Sequence, residues 1–418
     1  MLDLRRVDPT YHLFFDDGQQ LELTPDSERT RSQLEAIEPG SYASLLRYLE
    51  EGGRRYSLAM EHIVRRNFRS LTEFLNPASI LVFLRLHALT GHYRHMQAFF
   101  HQPRLKAAFT FQDMYMGLSP FEAPATFSML QFTELAHGVW FPRGGMYAII
   151  EALLALAQRQ GVEFCFNCPV ERILIRDGLV RGVQLSDGRC LESETVLANA
   201  DLPYVYRQLL PADGSAARLE RLRYSCSTVN FLWCLDRPFP QLQPHMLFLS
   251  DRYRRNFDAI LHERTLAAEP SVFVHAPTRL DPALAPPRHD TVIGIVPVGH
   301  ISHRSNQDWD DLTLRARQAV MARLASLGMT DFEAHLKFEI RFAPPDWLKR
   351  FNLVRGATHG LAHTLLQMGY FRPHNRHPRY PNLYFAGAST HPGTALPTAL
   401  VSGRLAAERL LQDLVLRP

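Results

Sequence analysis

Cysteine is scarce in this chain and not paired as a disulfide framework or zinc site requires: Cys165, Cys168, Cys190, Cys226 and Cys234 make an odd number with no repeated C-x-x-C spacing. Such usage fits a reducing, cytoplasmic setting. No apolar run approaches the roughly 20 residues that cross a bilayer; the longest, residues 78–89, is interrupted by Arg85 and His87. The opening MLDLRRVDPTYHLFF is charged, contains a proline and lacks the apolar core of a signal peptide. Neither sign of charge dominates: 46 Lys+Arg against 42 Asp+Glu leave +4, too little to imply a nucleic-acid partner without a concentrated patch. No catalytic triad or metal-ligand motif is visible. No two of the 23 glycines are separated by a single residue, so the G-x-G-x-x-G turn that brings backbone against a pyrophosphate is absent.

What is present reads as a folded chain of two or three domains' length, 46% hydrophobic and 21% charged. Tyr11 to Phe15, an Asp16-Asp17-Gly18 turn and Leu21 to Leu23 predict a hairpin. Residues 28–111 are helical in pattern, broken at Pro39-Gly40, Asn76-Pro77 and Pro103. After Gly144-Gly145, the residues Met146, Ile149, Ile150, Leu153, Leu154 and Ala157 recur at helical spacing until Gly161, predicting an amphipathic helix. Strands are expected over 162–166, 170–175, 180–185 and 195–198, then over 271–277 and 291–298, with a helix over 312–327. The chain closes with a short buried strand over 382–386, the loop GASTHPGTALP and a helix over 398–414.

That last unit carries the chemistry. A strand feeding a loop and a helix start turns free backbone N–H groups and a positive dipole end toward one spot, where an anion or electron-rich ring edge can sit. Pro397 suits a first helical turn because its missing N–H is not needed there. By pattern alone an ordinary β-loop-α connection explains the unit equally well.

The stretch NLYFAGASTHPGTALPTALVSGRLAAERLL resembles the carboxyl-terminal signature of phytoene desaturases and related carotenoid oxidoreductases. Three colinear segments agree: GVWFPRGGMYAIIEALLALAQRQGVEF (138–164), VLANAD (196–201) and YFRPHNR (370–376). The resemblance runs from about Val7 to Leu414. It implies a mixed α/β, two-domain, amine-oxidase-like fold that lacks its first Rossmann βαβ unit. The divisions it implies are substrate-domain parts at 1–137 and 203–370, and FAD-domain parts at 138–202 and 371–418. It places Val170 near the adenine side, and Asn199, Ala200 and Asp201 at a strand end beside the cofactor. Gly387, Ala388, Thr390, His391, Pro392, Gly393, Thr394, Ala395, Leu396 and Pro397 would run along ribityl and flavin. Bland alternatives stand beside these: Val170 as core, and Asp201 as a helix cap near Pro203. Arg143 and His391 fall in the motif segments and are candidate catalytic residues, with a salt-bridged Arg and a loop-stabilising His as the alternatives.

The implied reaction is hydride transfer from a long polyene to the flavin of FAD, in an apolar tunnel with few acid–base groups. No metal is implied. Two departures from the family pattern are visible. The missing glycine fingerprint predicts an amino-terminally short or split chain, a separate amino-terminal half as partner, and weak FAD binding. Ala395 stands where the family loop usually has a second glycine after His-Pro-Gly; if that position needs φ > 0, alanine costs roughly 1–2 kcal/mol.

Residues 54–75 predict one further helix, with Met60, Ile63, Val64, Phe68, Leu71, Phe74 and Leu75 on one face and Arg54, Arg55, Arg65, Arg66 and Arg69 opposite. Such a helix packs on a core with its basic face in water, or lies on an anionic membrane at the inner face of the cell membrane. The rival readings of the whole chain are isomerisation or oxidation of a polyene on the same scaffold, and a non-catalytic remnant without functional FAD.

Overall fold

The computed structural model describes residues 2–415 apart from 213, 304 and 306. Its strands in chain order are β1 (Leu4–Val7), β2 (Tyr11–Phe15), β3 (Gln20–Leu23), β4 (Val139–Pro142), β5 (Val170–Arg176), β6 (Leu179–Leu185) and β7 (Cys190–Glu192). There follow β8 (Val196–Ala198), β9 (Ser227–Leu235), β10 (His245–Leu249), β11 (Val272–His275), β12 (Asp290–Val298), β13 (Leu336–Phe342) and β14 (Leu383–Phe385). The helices that matter here are α1 (Ser27–Ile37), α2 (Ser41–Ala59), α3 (Pro77–Arg85), α4 (Tyr147–Arg159), α5 (Trp309–Ser326) and α6 (Leu396–Val415).

A seven-stranded sheet in the order β13-β9-β12-β11-β10-β2-β3 forms the larger body. Along β9 and β12 burial alternates residue by residue, the period-two pattern of a pleated strand with one face in a core. One cluster, with Phe231, Trp233, Val292 and Val296, packs under Ala316, Val320 and Leu324 of α5. Gly294 makes the room: a Cβ there would lie 2.8 Å from the Trp233 ring. A second cluster joins Leu13, Leu21 and Leu249 to Leu45 and Tyr48 of α2 and to Phe100 and Phe109.

The smaller body holds two sheets. In one, β8 and β14 run parallel, pairing Val196 with Leu383 and Ala198 with Phe385. In the other, β5-β6-β7 form an antiparallel meander. The fold is mixed α/β, with fourteen strands and many helical segments among the described residues.

Several expectations change here. No strand forms over 162–166, although the neighbouring helix and β5 are where the pattern puts them. That segment turns back on itself, with Cys165 and Cys168 in a disulfide that cysteine spacing did not suggest. The continuous helix over 54–75 is also absent: α2 ends at Ala59, a π turn covers Met60–Val64, and a one-turn helix, Leu71–Phe74, starts at the Ser70 cap. Tertiary bonds to α6 hold the intervening residues out of helix, since Asn67 Nδ2 donates to the Leu405 carbonyl at 2.8 Å and Arg69 Nη2 to Gln412 Oε1 at 2.5 Å. Arg55, expected on a solvated face, is buried and donates to Ser128 Oγ at 2.8 Å and to Glu51 Oε2 at 2.8 Å.

Candidate functional site

Parallel pairing puts the carboxyl ends of β8 and β14 side by side, so the segments leaving them, 199–201 and 387–397, start from one place. The Ala386 N–H continues the ladder to the Ala198 carbonyl at 3.1 Å, and Asn199 Nδ2 returns to the Ala386 carbonyl at 3.1 Å. Asp201 does not cap the helix after it with its side chain. Its carboxylate instead accepts from Val354 N–H at 3.0 Å and from Ser389 Oγ at 2.6 Å, tying the strand end to the loop. Burial pushes the Asp201 carboxyl up, and those two hydrogen bonds pull it back.

The loop is held from beneath by groups distant in sequence. Arg372 is fully buried; its Nε donates to the Thr390 carbonyl at 3.0 Å, Nη2 to Leu361 at 3.0 Å and Nη1 to Gln367 at 3.1 Å. Burial pulls this guanidinium down to about 9, with Asp201 opposing, so it stays charged near neutrality. Asn375 Nδ2 spans the carbonyls of Phe385 (3.0 Å) and His391 (3.1 Å). Ser402 Oγ, from α6, accepts from Gly387 N–H at 3.1 Å and donates to the His391 carbonyl at 2.8 Å. Thr390 Oγ1 closes on the Gly387 carbonyl at 2.8 Å. His363 donates through Nδ1 to the Met116 carbonyl at 3.0 Å, which leaves Nε2 to accept from Thr394 N–H at 3.2 Å. Gly393 permits this approach, because a Cβ there would lie 2.1 Å from that nitrogen.

Past Thr394 the loop surfaces. Ala395, Leu396 and Pro397 are exposed, and Ala395 takes φ 83°, the left-handed conformation that an alanine resists. His391 is buried against Phe68, ring centroids 5.9 Å apart; burial first and the Arg372 charge second draw its pKa down to about 4. Pro392 and Ala388 are half-buried.

Asn199, Asp201 and the residues from Gly387 to Pro397 are therefore brought together. Val170 is half-buried at the start of β5 and packs on the apolar cluster that contains Leu383 and Phe385, while Ala200 is exposed beside Asp201. Arg143 is not brought to the loop: its side chain is 62% exposed and reaches Asp3 at 3.9 Å, with no bond to residues 387–397 among the described residues. The sequence reading missed His363, for which a lone histidine gives no signal, and Arg372, which sits inside the Phe-Arg-Pro-His segment.

A flavin ring suits the residues present at this loop. The first turn of α6 has backbone N–H groups and a positive dipole end, the loop surfaces at Ala395, and Leu396 offers an apolar flank. The described residues contain no glycine fingerprint to cradle a diphosphate.

Comparison with known proteins agrees with this geometry. The family model described as flavin containing amine oxidoreductase matches residues 2–411. The chain is 38% identical to a phytoene desaturase of Fusarium fujikuroi, over 99% of this chain and 76% of that protein. It is 42% identical to a zeta-carotene-forming phytoene desaturase of Myxococcus xanthus, over 98% of this chain and 79% of that protein. Among solved structures, an oxidoreductase from Methanosarcina mazei superposes with a TM-score of 0.61 at 13% identity, over 98% of this chain and 82% of that one. A putrescine oxidase variant superposes with a TM-score of 0.59 at 13% identity, over 98% and 83%. These two likenesses establish an amine-oxidase-like fold.

Proposed function

Because the chain belongs to the phytoene desaturases within the flavin-containing amine oxidoreductases, we propose that it is a carotenoid desaturase that uses FAD to take hydride from a long polyene hydrocarbon. The Gly387–Pro397 loop carries this reading, braced by Arg372 and His363 and opening at the start of α6. A bound flavin supplies the hydride acceptor. The chain's own part is to orient and shield: the α6 start offers donors to the ring edge, and Asn199 and Asp201 fix the adjoining strand end. His391, drawn to about 4, is neutral at physiological pH and is assigned to holding the loop. Arg143 is assigned to its surface pair with Asp3.

The protein loaded with FAD and given phytoene in liposomes is expected to yield products whose absorption moves to longer wavelength with each added conjugated double bond. Unchanged phytoene, together with isomerisation of a poly-cis carotene, would reassign the chain to polyene isomerisation. For the 418-residue chain alone, weak and sub-stoichiometric flavin is expected, because ring-side contacts remain without a diphosphate cradle. A stoichiometric flavin spectrum would mean that other groups hold the diphosphate. Supplying a βαβ unit that carries the glycine fingerprint is expected to restore stoichiometric flavin.

A lipid-dissolved substrate calls for a membrane face, and we place it at α3, on the cytoplasmic side. Leu71, Leu75, Ile80, Leu81, Leu84 and Leu89 are all exposed there, and Arg65, Arg66 and Arg69 stand nearby in sequence and are also exposed. Apolar insertion with basic residues alongside is the pattern of interfacial binding. Reversing those three arginines is expected to weaken binding to anionic vesicles, since each contributes about 1 kcal/mol near such a surface. Binding equal to wild type at low and high salt would remove this face.

A further inference from the structure

A cavity of about 1030 Å³ is lined from segments 204–208, 220–224, 261–264, 300–303 and 348–355, and it meets the flavin-loop bracing at Val354, whose N–H donates to Asp201. Its charge is one-sided. Arg207, Arg221, Arg223, Arg264 and Arg355 line it, and Glu220 is its one acidic lining residue. A second carboxylate, Glu122, meets Arg223 at 2.6 Å and His262 at 3.2 Å. Glu220 is shared, at 3.7 Å from Arg207 and with its carbonyl accepting from Arg355 Nη2 at 2.9 Å. Arg221 has no ion-pair partner among the described residues.

Two observations point to a ligand besides the charge. Tyr224, 3% exposed, lines the cavity beneath Arg355, whose guanidinium stands 4.5 Å above its ring, and the Tyr224 hydroxyl is buried with no hydrogen-bond partner among the described residues. A buried donor without a partner is uncommon in a settled structure. Arg264 and Arg355 are also both held at positive φ, 59° and 60°. Gly299 allows the first to be packed closely, since a Cβ there would lie 2.2 Å from the Arg264 backbone. Backbone strain of this kind gathers at sites that bind.

We propose that this cavity binds a phosphate or diphosphate group carried on an apolar body. Planar guanidinium forks match phosphate oxygens two at a time. The cavity is far larger than an inorganic anion, and Leu222, Leu261, Ile301 and Leu348 line it beside the arginines, giving room for an attached apolar chain. The group can come from a soluble alkyl phosphate or from a phospholipid headgroup. A hydrocarbon substrate, which has no anionic group, does not match this lining.

The test is calorimetric titration of the full chain with three soluble probes: inorganic diphosphate, octyl phosphate and dihexanoyl phosphatidic acid. Saturable 1:1 binding is expected, weakened at least about tenfold in Arg207→Ala/Arg221→Ala, and Arg221→Lys is expected to fall between wild type and the double variant, because an ammonium keeps the charge but loses the paired contact. Tighter binding of octyl phosphate than of phosphatidic acid assigns a soluble ligand, and the reverse order assigns a lipid headgroup. Thermal melting checks that the double variant folds as wild type does, as expected of exposed side chains. No binding of any probe, or equal binding by a folded double variant, overturns the proposal.

Discussion

The seven-stranded sheet and the β8–β14 pair are both made of apolar strands, yet the helices that accompany them are covered to different degrees. Under α5 the aromatic and aliphatic side chains of β9 and β12 are wholly buried, and α1 and α2 cover the hairpin end. At α4 the picture is inverted. Helix α4 has no buried residue, and Met146, Tyr147, Ile150, Leu153 and Leu156 are all exposed. The two larger buried clusters therefore lie in the first body, while the candidate flavin loop hangs from the second. Damage to one should be separable from damage to the other.

The sharpest way to break that contrast is a matched pair of truncations. Trp233→Ala is expected to cost about 3–5 kcal/mol in denaturant unfolding, and Ile150→Ser on α4 within about 0.5 kcal/mol. Equal losses would show that α4 is as buried as the sheet. Next in size is Arg372→Leu, which leaves loop carbonyls without donors in a dry site and should cost about 3 kcal/mol. It should also abolish ring-side flavin binding; a flavin titration matching wild type would show that the loop holds its shape unaided.

A pH profile compared between wild type and Glu134→Gln tests the first body. Burial raises Glu134 to about 7, against an ordinary value of 4.5, while Tyr11 and Gln112 donate to its carboxyl. The folded state thus binds the proton more tightly. Its contribution is complete below about pH 4.5 and fades as pH rises through about 7, with a slope of up to about 1.4 kcal/mol per pH unit. Glu134→Gln should flatten that slope, and an unchanged slope in the variant would place its source elsewhere. Smallest is Ala395→Gly, which relieves about 1 kcal/mol of left-handed strain and should tighten flavin binding about fivefold once a diphosphate cradle is restored. Equal affinity would show that the strain is the same with and without flavin.

Local pattern carried much of this architecture. The Tyr11–Leu23 hairpin, α4, β12 and the closing strand-loop-helix are legible because periodicity and turn residues act over a few positions. The positive φ of Ala395 was legible through its glycine-favouring position in the motif. The order of the seven strands was not, since β2 pairs in parallel with β10 from 234 residues away. Residues 162–166 alternate as a strand does but have no partner strand, and a ladder needs two. Arg372 and His363 escaped for a similar reason: what marks them is the set of carbonyls and the glycine they meet, and those come together only in the fold.

The bare face of α4 has a consequence for anyone handling this protein. Four large apolar side chains on this helix, with Met146 just before it, form a patch that water disfavours and other surfaces do not. The chain should stay dispersed when dilute, cling to hydrophobic resins and self-associate reversibly as it is concentrated. Ammonium sulfate should aggravate the clumping and a mild detergent should reverse it, because salting-out strengthens apolar attraction while the charges of this chain are nearly balanced.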